Sequence, residues 1–216
     1  MSSSNRLAWP PRRRQLIAGL GWAAACLAWP ALASSRRALP AMTEGPFYPL
    51  HRPLDDDADL TRVRGQAQAA RGEWLDIAGV VVDTQGRVVD GAAIEIWQCD
   101  VYGSYRHPHG TGPRVDAGFQ GFGATVSDAQ GAFRFRSIRP VVYPGRAPHI
   151  HVKVLHPSFG QRVSQWFVAG EAANEQDVLF RRLGPADRAE VEMRLQAAPA
   201  GAAVRWITRR DLVVPA

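Results

Sequence analysis

From Trp74 to the C-terminus the chain is written largely in alternation. "WLDIAGVVVD" (74–83) and "AAIEIWQC" (92–99) place β-branched and aromatic residues at alternate positions, the two-residue period of a strand. "DTQGRVVDG" between them supplies turn residues. "GATVSDAQGAFRFRSI" (123–138) predicts a hairpin. Its turn is Ser127-Asp128-Ala129-Gln130-Gly131, with Phe133 and Phe135 on one face. "HIHVKVLH" (149–156), "VSQWFVA" (163–169) and "AVRWITRRDLVV" (203–214) add further strands. "GPADRAEVEMRLQAA" (184–198) predicts the one helix, with Pro185 early and acids near its start. Many short strands joined by Gly- and Pro-containing turns predict an all-β, two-sheet sandwich.

Upstream the pattern is lost. Residues 34–73 read as an irregular N-terminal arm rich in Pro, Gly and charge, although "GPFYP" sets two aromatics between prolines, which disordered linkers seldom do. Residues 1–33 read as an export signal: a basic start, an apolar run from Leu16 to about Ala28, and a small-x-small site at Ala31-Leu32-Ala33. Arg13-Arg14, followed by Gln15-Leu16-Ile17, resembles a twin-arginine signal, with Arg12 where Ser or Thr is usual. The expectation is export to the periplasm or beyond. Gly19, Gly21 and Pro30 interrupt the run, which argues against a stable membrane span after cleavage. Cys26 lies inside the run, a poor place for lipid attachment. Residues 74–216 then form a single β-domain.

Charge changes little. The 216 residues carry a formal +6, but residues 1–33 hold four Arg and no acid, and the remainder has 22 basic against 20 acidic residues. No basic patch remains that would mark a nucleic-acid binder. Lys153 is the only lysine. Without Cys26 only Cys99 is left, so no intrachain disulfide is available.

The candidate chemistry begins with His149 and His151. Two positions apart on a strand, they share a face. Imidazole suits Zn, Cu, Fe or Ni. Zinc would want more His, Cys or carboxylate, and Cys99 has no CxxC partner. A cupin-like pair would be followed by Glu, where Leu155 and His156 stand. Of the four tyrosines, Tyr143 lies six residues before His149 and Tyr105 follows a turn in "DVYGSYRHP". Phenolate is a hard anionic ligand that favours ferric iron.

With those residues in view, "AAIEIWQCDVYGSYRHP", "GFGATVSDAQGAFRFRSIRPVVYPGRAPHIHVKV" and "SQWFVAGEAANEQDVLFRRL" resemble the intradiol ring-cleavage dioxygenases, the protocatechuate 3,4-dioxygenase and catechol 1,2-dioxygenase family. Within that family the resemblance is nearer the protocatechuate-like, small exported branch, because residues 34–73 are too short and Pro-rich for the N-terminal helical dimerisation region of the catechol branch. The likeness runs with gaps over residues 74–183, and "TEGPFYP" extends it to Thr43. The resemblance implies a β-sandwich and a ferric ion, Fe(III), held by Tyr105, Tyr143, His149 and His151. It implies Arg146 and Gln165 at the substrate, Tyr143 as proton acceptor, and Pro46, Phe47 and Tyr48 as pocket wall. The implied partners are a catechol-type diphenol and O2, and the product a cis,cis-muconate-type diacid. A ring carboxylate would want a cation, for which Arg106, Arg114 and Arg162 are candidates. The alternative is a non-catalytic, transthyretin-like exported binding module, since fold does not imply function. Oligomeric state is not readable.

Overall fold

Among the described residues the alternation is realised as ten strands. β1 (Trp74–Asp83), β4 (Ala132–Ile138), β8 (Gln196–Ala197), β9 (Trp206–Arg209) and β10 (Leu212–Val214) form one sheet. β2 (Ala93–Trp97), β3 (Phe122–Val126), β5 (His149–His156), β6 (Gly160–Val168) and β7 (Glu192–Met193) form the other, in the order β3-β2-β5-β6-β7. This computed structural model describes residues 36–110 and 112–216. The signal reading over 1–33, with Arg13-Arg14 and Cys26, lies outside the described residues. Among the described residues no helix is long and apolar enough to cross a membrane.

Each sheet is organised by one long strand. β1 pairs antiparallel with β4 from Trp74 to Val80, and parallel with β9 and β10 along its first and last residues. β5 lies antiparallel between β2 and β6. Leu75, Ile77, Phe133 and Phe135 from the first sheet meet Ile94, Ile96, Ile150, Val152, Val154 and Trp166 from the second. The rings of Phe133 and Trp166 stack across this core at 6.5 Å. The alternation therefore puts Ile150, Val152 and Val154 inside, and His149, His151 and Lys153 on the opposite face of their sheet. Register is strongly held. A one-residue slip would exchange three buried aliphatics for two imidazoles and an ammonium, losing about 2 kcal/mol of apolar burial at each position.

Two sequence expectations are corrected. The segment 123–138 is not a hairpin: β3 pairs with β2, whereas β4 pairs with β1 in the other sheet. Its turn is an arch between sheets. The Ser127 hydroxyl accepts from Ala92 N–H at 2.9 Å and donates to the Val89 carbonyl at 2.8 Å, which ties the end of β3 to the approach to β2. The Gly131 carbonyl then accepts from Val81 N–H at 2.8 Å, on the other sheet. The same turn residues serve a hairpin or an arch, and the available edges decide between them.

The predicted helix over 184–198 is also too long. It spans only Pro185–Val191 (α2). Glu192 and Met193 then pair parallel with Phe167 and Val168, so sheet pairing and the burial of Met193 end the helix. Before it come a 3-10 turn at Ala172–Gln176 and a four-residue helix, α1 (Val178–Arg181), neither of which periodicity signalled. The arm has no regular strand. It is nevertheless packed, with Leu39 and Leu60 fully buried.

Candidate metal centre

The outward face of β5 carries the site. Across the ladder His151 lies opposite Trp97 on β2 and Gln165 on β6, and His149 lies opposite Phe167. Cross-strand neighbours share a face, so Trp97 stacks on the His151 ring, with centroids 4.8 Å apart and planes 11° apart. Trp97 is buried, as a wall of this candidate site. The Nδ1 of His149 lies 2.6 Å from the Ala147 carbonyl. A carbonyl only accepts, so Nδ1 carries the proton and Nε2 keeps its lone pair. That Nε2 is 3.2 Å from Nε2 of His151, whose Nδ1 is buried without a partner.

Tyr143 reaches the same point from a tight turn. Tyr143-Pro144-Gly145-Arg146 closes with Arg146 N–H donating to the Tyr143 carbonyl at 2.9 Å, and Gly145 has φ +79°. Pro at the second position and a positive-φ Gly at the third are the demands of a type II turn. The turn brings Tyr143 and Arg146 side by side, and Arg146 Nη1 donates to the Tyr143 hydroxyl at 3.3 Å.

Tyr105 comes from the loop after β2. Buried Asp100 knots that loop by accepting the N–H groups of Tyr102 (2.8 Å), Ser104 (3.0 Å) and Asp116 (2.7 Å). Gly103, at φ +75°, lets it approach Tyr143, whose Cβ lies 3.1 Å from where a Cβ on residue 103 would sit. The Tyr105 ring stands edge-on to Tyr143 at 5.5 Å and to His151 at 6.2 Å. Its hydroxyl is buried with no hydrogen-bond partner.

Arg146 is held from three sides. Nε donates to Asp177 Oδ2 at 2.8 Å, Nη2 to Gln165 Oε1 at 2.5 Å, and Nη1 to Tyr143 as above. Gln165 is fully buried and donates through Nε2 to the Thr43 carbonyl at 3.1 Å, which joins the arm to the site. Asp177 went unnoticed in the sequence. Its carboxylate also accepts Ala147 N–H at 3.0 Å and caps α1 through Leu179 and Phe180 N–H. An acid just before "VLF" carries the weak signature of an N-cap, but nothing local says that it would also face Arg146.

The three pocket-wall residues part company. Phe47 stacks on Tyr105 at 4.5 Å. Tyr48 lies behind Trp97, edge-on at 5.0 Å, with its hydroxyl donating to Glu95 at 2.7 Å. Pro46 is exposed. His107 packs edge-on against Phe47 at 5.8 Å.

The electrostatics favour neutral imidazoles. Burial, and then the Arg146 guanidinium, push His149 down to about 3. Burial, then His149 and Arg146, hold His151 well below the usual range. Both phenols move up, Tyr105 through burial and its Tyr143 neighbour, and Tyr143 through burial against an opposing pull from Arg146. Two imidazole Nε2 atoms 3.2 Å apart and a buried phenol beside a second phenol form a donor set that a cation would satisfy. Among the described residues no three His, Cys, Asp or Glu gather, so a zinc-like cluster of those types is not offered. Two phenol oxygens with two imidazoles fit a hard, oxygen-seeking ion such as ferric iron.

A family model described as Dioxygenase matches residues 43–206. The protocatechuate 3,4-dioxygenase beta chain of Burkholderia cepacia is 33% identical over 135 residues, 58% of this chain and 57% of its own. Hydroxyquinol 1,2-dioxygenase of Corynebacterium glutamicum is 32% identical over 145 residues, 59% of this chain and 45% of its own. The chain thus spans about half the length of these curated relatives. Among solved structures, the dioxygenase domain of a dioxygenase–carbohydrate-binding fusion from Streptomyces sp. SirexAA-E is similar, with TM-score 0.64 and 27% identity, over 83% of this chain and 99% of that one. The 3-chlorocatechol 1,2-dioxygenase of Rhodococcus opacus 1CP shares the fold, with TM-score 0.65 and 20% identity over 84% of this chain and 74% of its own.

Proposed function

Because this chain belongs to the intradiol ring-cleavage dioxygenase family, we propose that it is an iron-dependent enzyme that opens catechol-type rings with O2 to a cis,cis-muconate-type diacid. The observation that supports this most is the clustering of Tyr105, Tyr143, His149 and His151, whose neighbouring ring centroids lie 4.9 to 6.2 Å apart, with two imidazole nitrogens at 3.2 Å. These four residues would hold Fe(III). When bound, the ion would supply Lewis acidity toward both diphenol oxygens and leave the ring electron-rich toward O2.

The protein's own groups have distinct tasks. His149 and His151 stay neutral at working pH and offer Nε2. The Ala147 carbonyl fixes the tautomer of His149, the usual way a ligating ring is oriented. Tyr143 is the candidate proton acceptor for an incoming diphenol hydroxyl, because Arg146 stabilises charge on its oxygen. Arg146, oriented by Asp177 and Gln165, faces the negative charge that develops on the ring carbon, where a preorganised cation acts most strongly in a site sheltered from water. Phe47 and Trp97 supply that shelter. Family membership does not favour the transthyretin-like alternative, which would leave this donor set without a task.

Iron-loaded protein should contain stoichiometric iron, show a visible phenolate-to-iron charge-transfer band, and consume O2 with catechol. His149→Ala should lose the iron. Iron-loaded protein with no such band and no uptake would sink the proposal.

A further inference from the structure

We infer that the site takes a catechol whose ring carries no carboxylate: an unsubstituted or alkyl-substituted diphenol rather than a dihydroxybenzoate. The inference rests on the ring-cleavage reading above and narrows its substrate class. A cleft of about 290 Å³ opens beside Tyr143 and Arg146, lined also by Val142, Ala173, Gln176 and Asp177. Its two charged residues are Arg146 and Asp177, and they pair with each other at 2.8 Å. Arg146 spends its other directions on Tyr143 and Gln165. A substrate carboxylate entering here would have to compete with Asp177, Tyr143 and Gln165 for this one guanidinium. Its loss of water would be poorly repaid.

Among the described residues no other cation lines this cleft. Lys153 shares the His151 face, but its ammonium pairs with Glu44 at 3.0 Å and sits 4.1 Å over the Tyr48 ring. Arg162 lies opposite Val154 in the β5–β6 ladder, and Val154 points into the inter-sheet core. Strand alternation thus puts Arg162 on the face away from His151 and Gln165. Arg106 donates to the Ala117 carbonyl, and Arg114 lies over the Tyr102 ring at 4.1 Å and donates to its hydroxyl. Arg139, beside the neighbouring cleft, is bracketed by Glu171 and Glu73. Val142, 58% exposed, and Ala173 give the cleft an apolar stretch of wall. An exposed valine at a cleft mouth suits an alkyl ring substituent.

The test is oxygen uptake by the iron-loaded protein with catechol, 4-methylcatechol and 3,4-dihydroxybenzoate, together with anaerobic calorimetric titration of the same three. The expected kcat/KM for 4-methylcatechol exceeds that for 3,4-dihydroxybenzoate by about 100-fold, with the Kd values in the same order. Gln176→Arg, which adds an unpaired cation to the wall, should narrow that ratio by about tenfold. A ratio of one or below in both readouts, unmoved by Gln176→Arg, overturns the inference while leaving ring cleavage intact. Failure to consume O2 with any of the three, or to bind any of them, overturns the ring-cleavage reading and this inference with it.

Discussion

Asp177 shows how much one buried side chain can organise. Its carboxylate receives the Arg146 guanidinium, the Ala147 N–H and the first N–H groups of α1. Burial alone would push this acid up; the Ala147 N–H and Arg146 outweigh it and hold the group below the usual carboxylate range. A depressed folded value means stability that is fully present above the ordinary carboxylate pKa of about 4 and is lost as pH falls through the lower folded value. Asp177→Asn should therefore cost about 2–3 kcal/mol at neutral pH, because Arg146 is left without its counter-charge. It should also flatten the acid limb of stability below pH ~4. Urea unfolding at pH 3, 4 and 7 checks both; an unchanged slope of stability against pH would remove Asp177 from this role. Strand alternation set His149 and His151 on one face, and the resemblance to the family added Tyr105 and Tyr143 as proposed ligands. Asp177 was not legible in the chain, because its importance lies in a partner 31 positions away.

At the scale of elements, the arm is the least regular part and yet closes the site. Met42 N–H donates to the Val163 carbonyl at 2.9 Å, and Thr43 accepts from Gln165. Gly45, at φ +76°, passes so close that a Cβ there would lie 3.3 Å from Cε1 of His151. Lys153 then grips Glu44 and the face of Tyr48, while Tyr48 donates to Glu95 on β2. A partly exposed ion pair plus a cation–π contact contributes about 1 kcal/mol. Lys153→Met should thus lower stability by roughly that amount, and it should open residues 42–48 to limited proteolysis before the strands are cut. Equal cleavage rates at the arm in both proteins would show that the latch does not hold it. Sequence reading placed the arm and its aromatics near the site. It did not show that Lys153, one turn of the pleat beyond His151, would tie the arm down.

At the scale of the whole molecule, the described residues form two apolar clusters. One fills the space between the sheets. The other, built on Trp97, Cys99, Tyr105 and Phe122 with Phe47, Tyr48 and Tyr143 against it, sits on the outer face of the second sheet, where the proposed ligands lie. Cys99 in this cluster is pushed up to about 12 by burial, with Asp100 adding to the effect. It should resist iodoacetamide at pH 8 in the folded protein and react once the chain is unfolded, as followed by mass spectrometry on its peptide. Rapid native labelling there would mean that the outer cluster opens. By itself the sequence determined the all-β class and the faces of β5, because each depends on residues within a few positions of one another, and the family, because its motifs recur in order along the chain. Only the tertiary structure decided that β3 and β4 part into different sheets, that α2 stops at Val191, and that Asp177, Trp97 and Lys153 lie beside the proposed ligands and the groups that hold them. Those outcomes depend on which strand edge, carbonyl or charge a distant segment presents, and no local pattern records that.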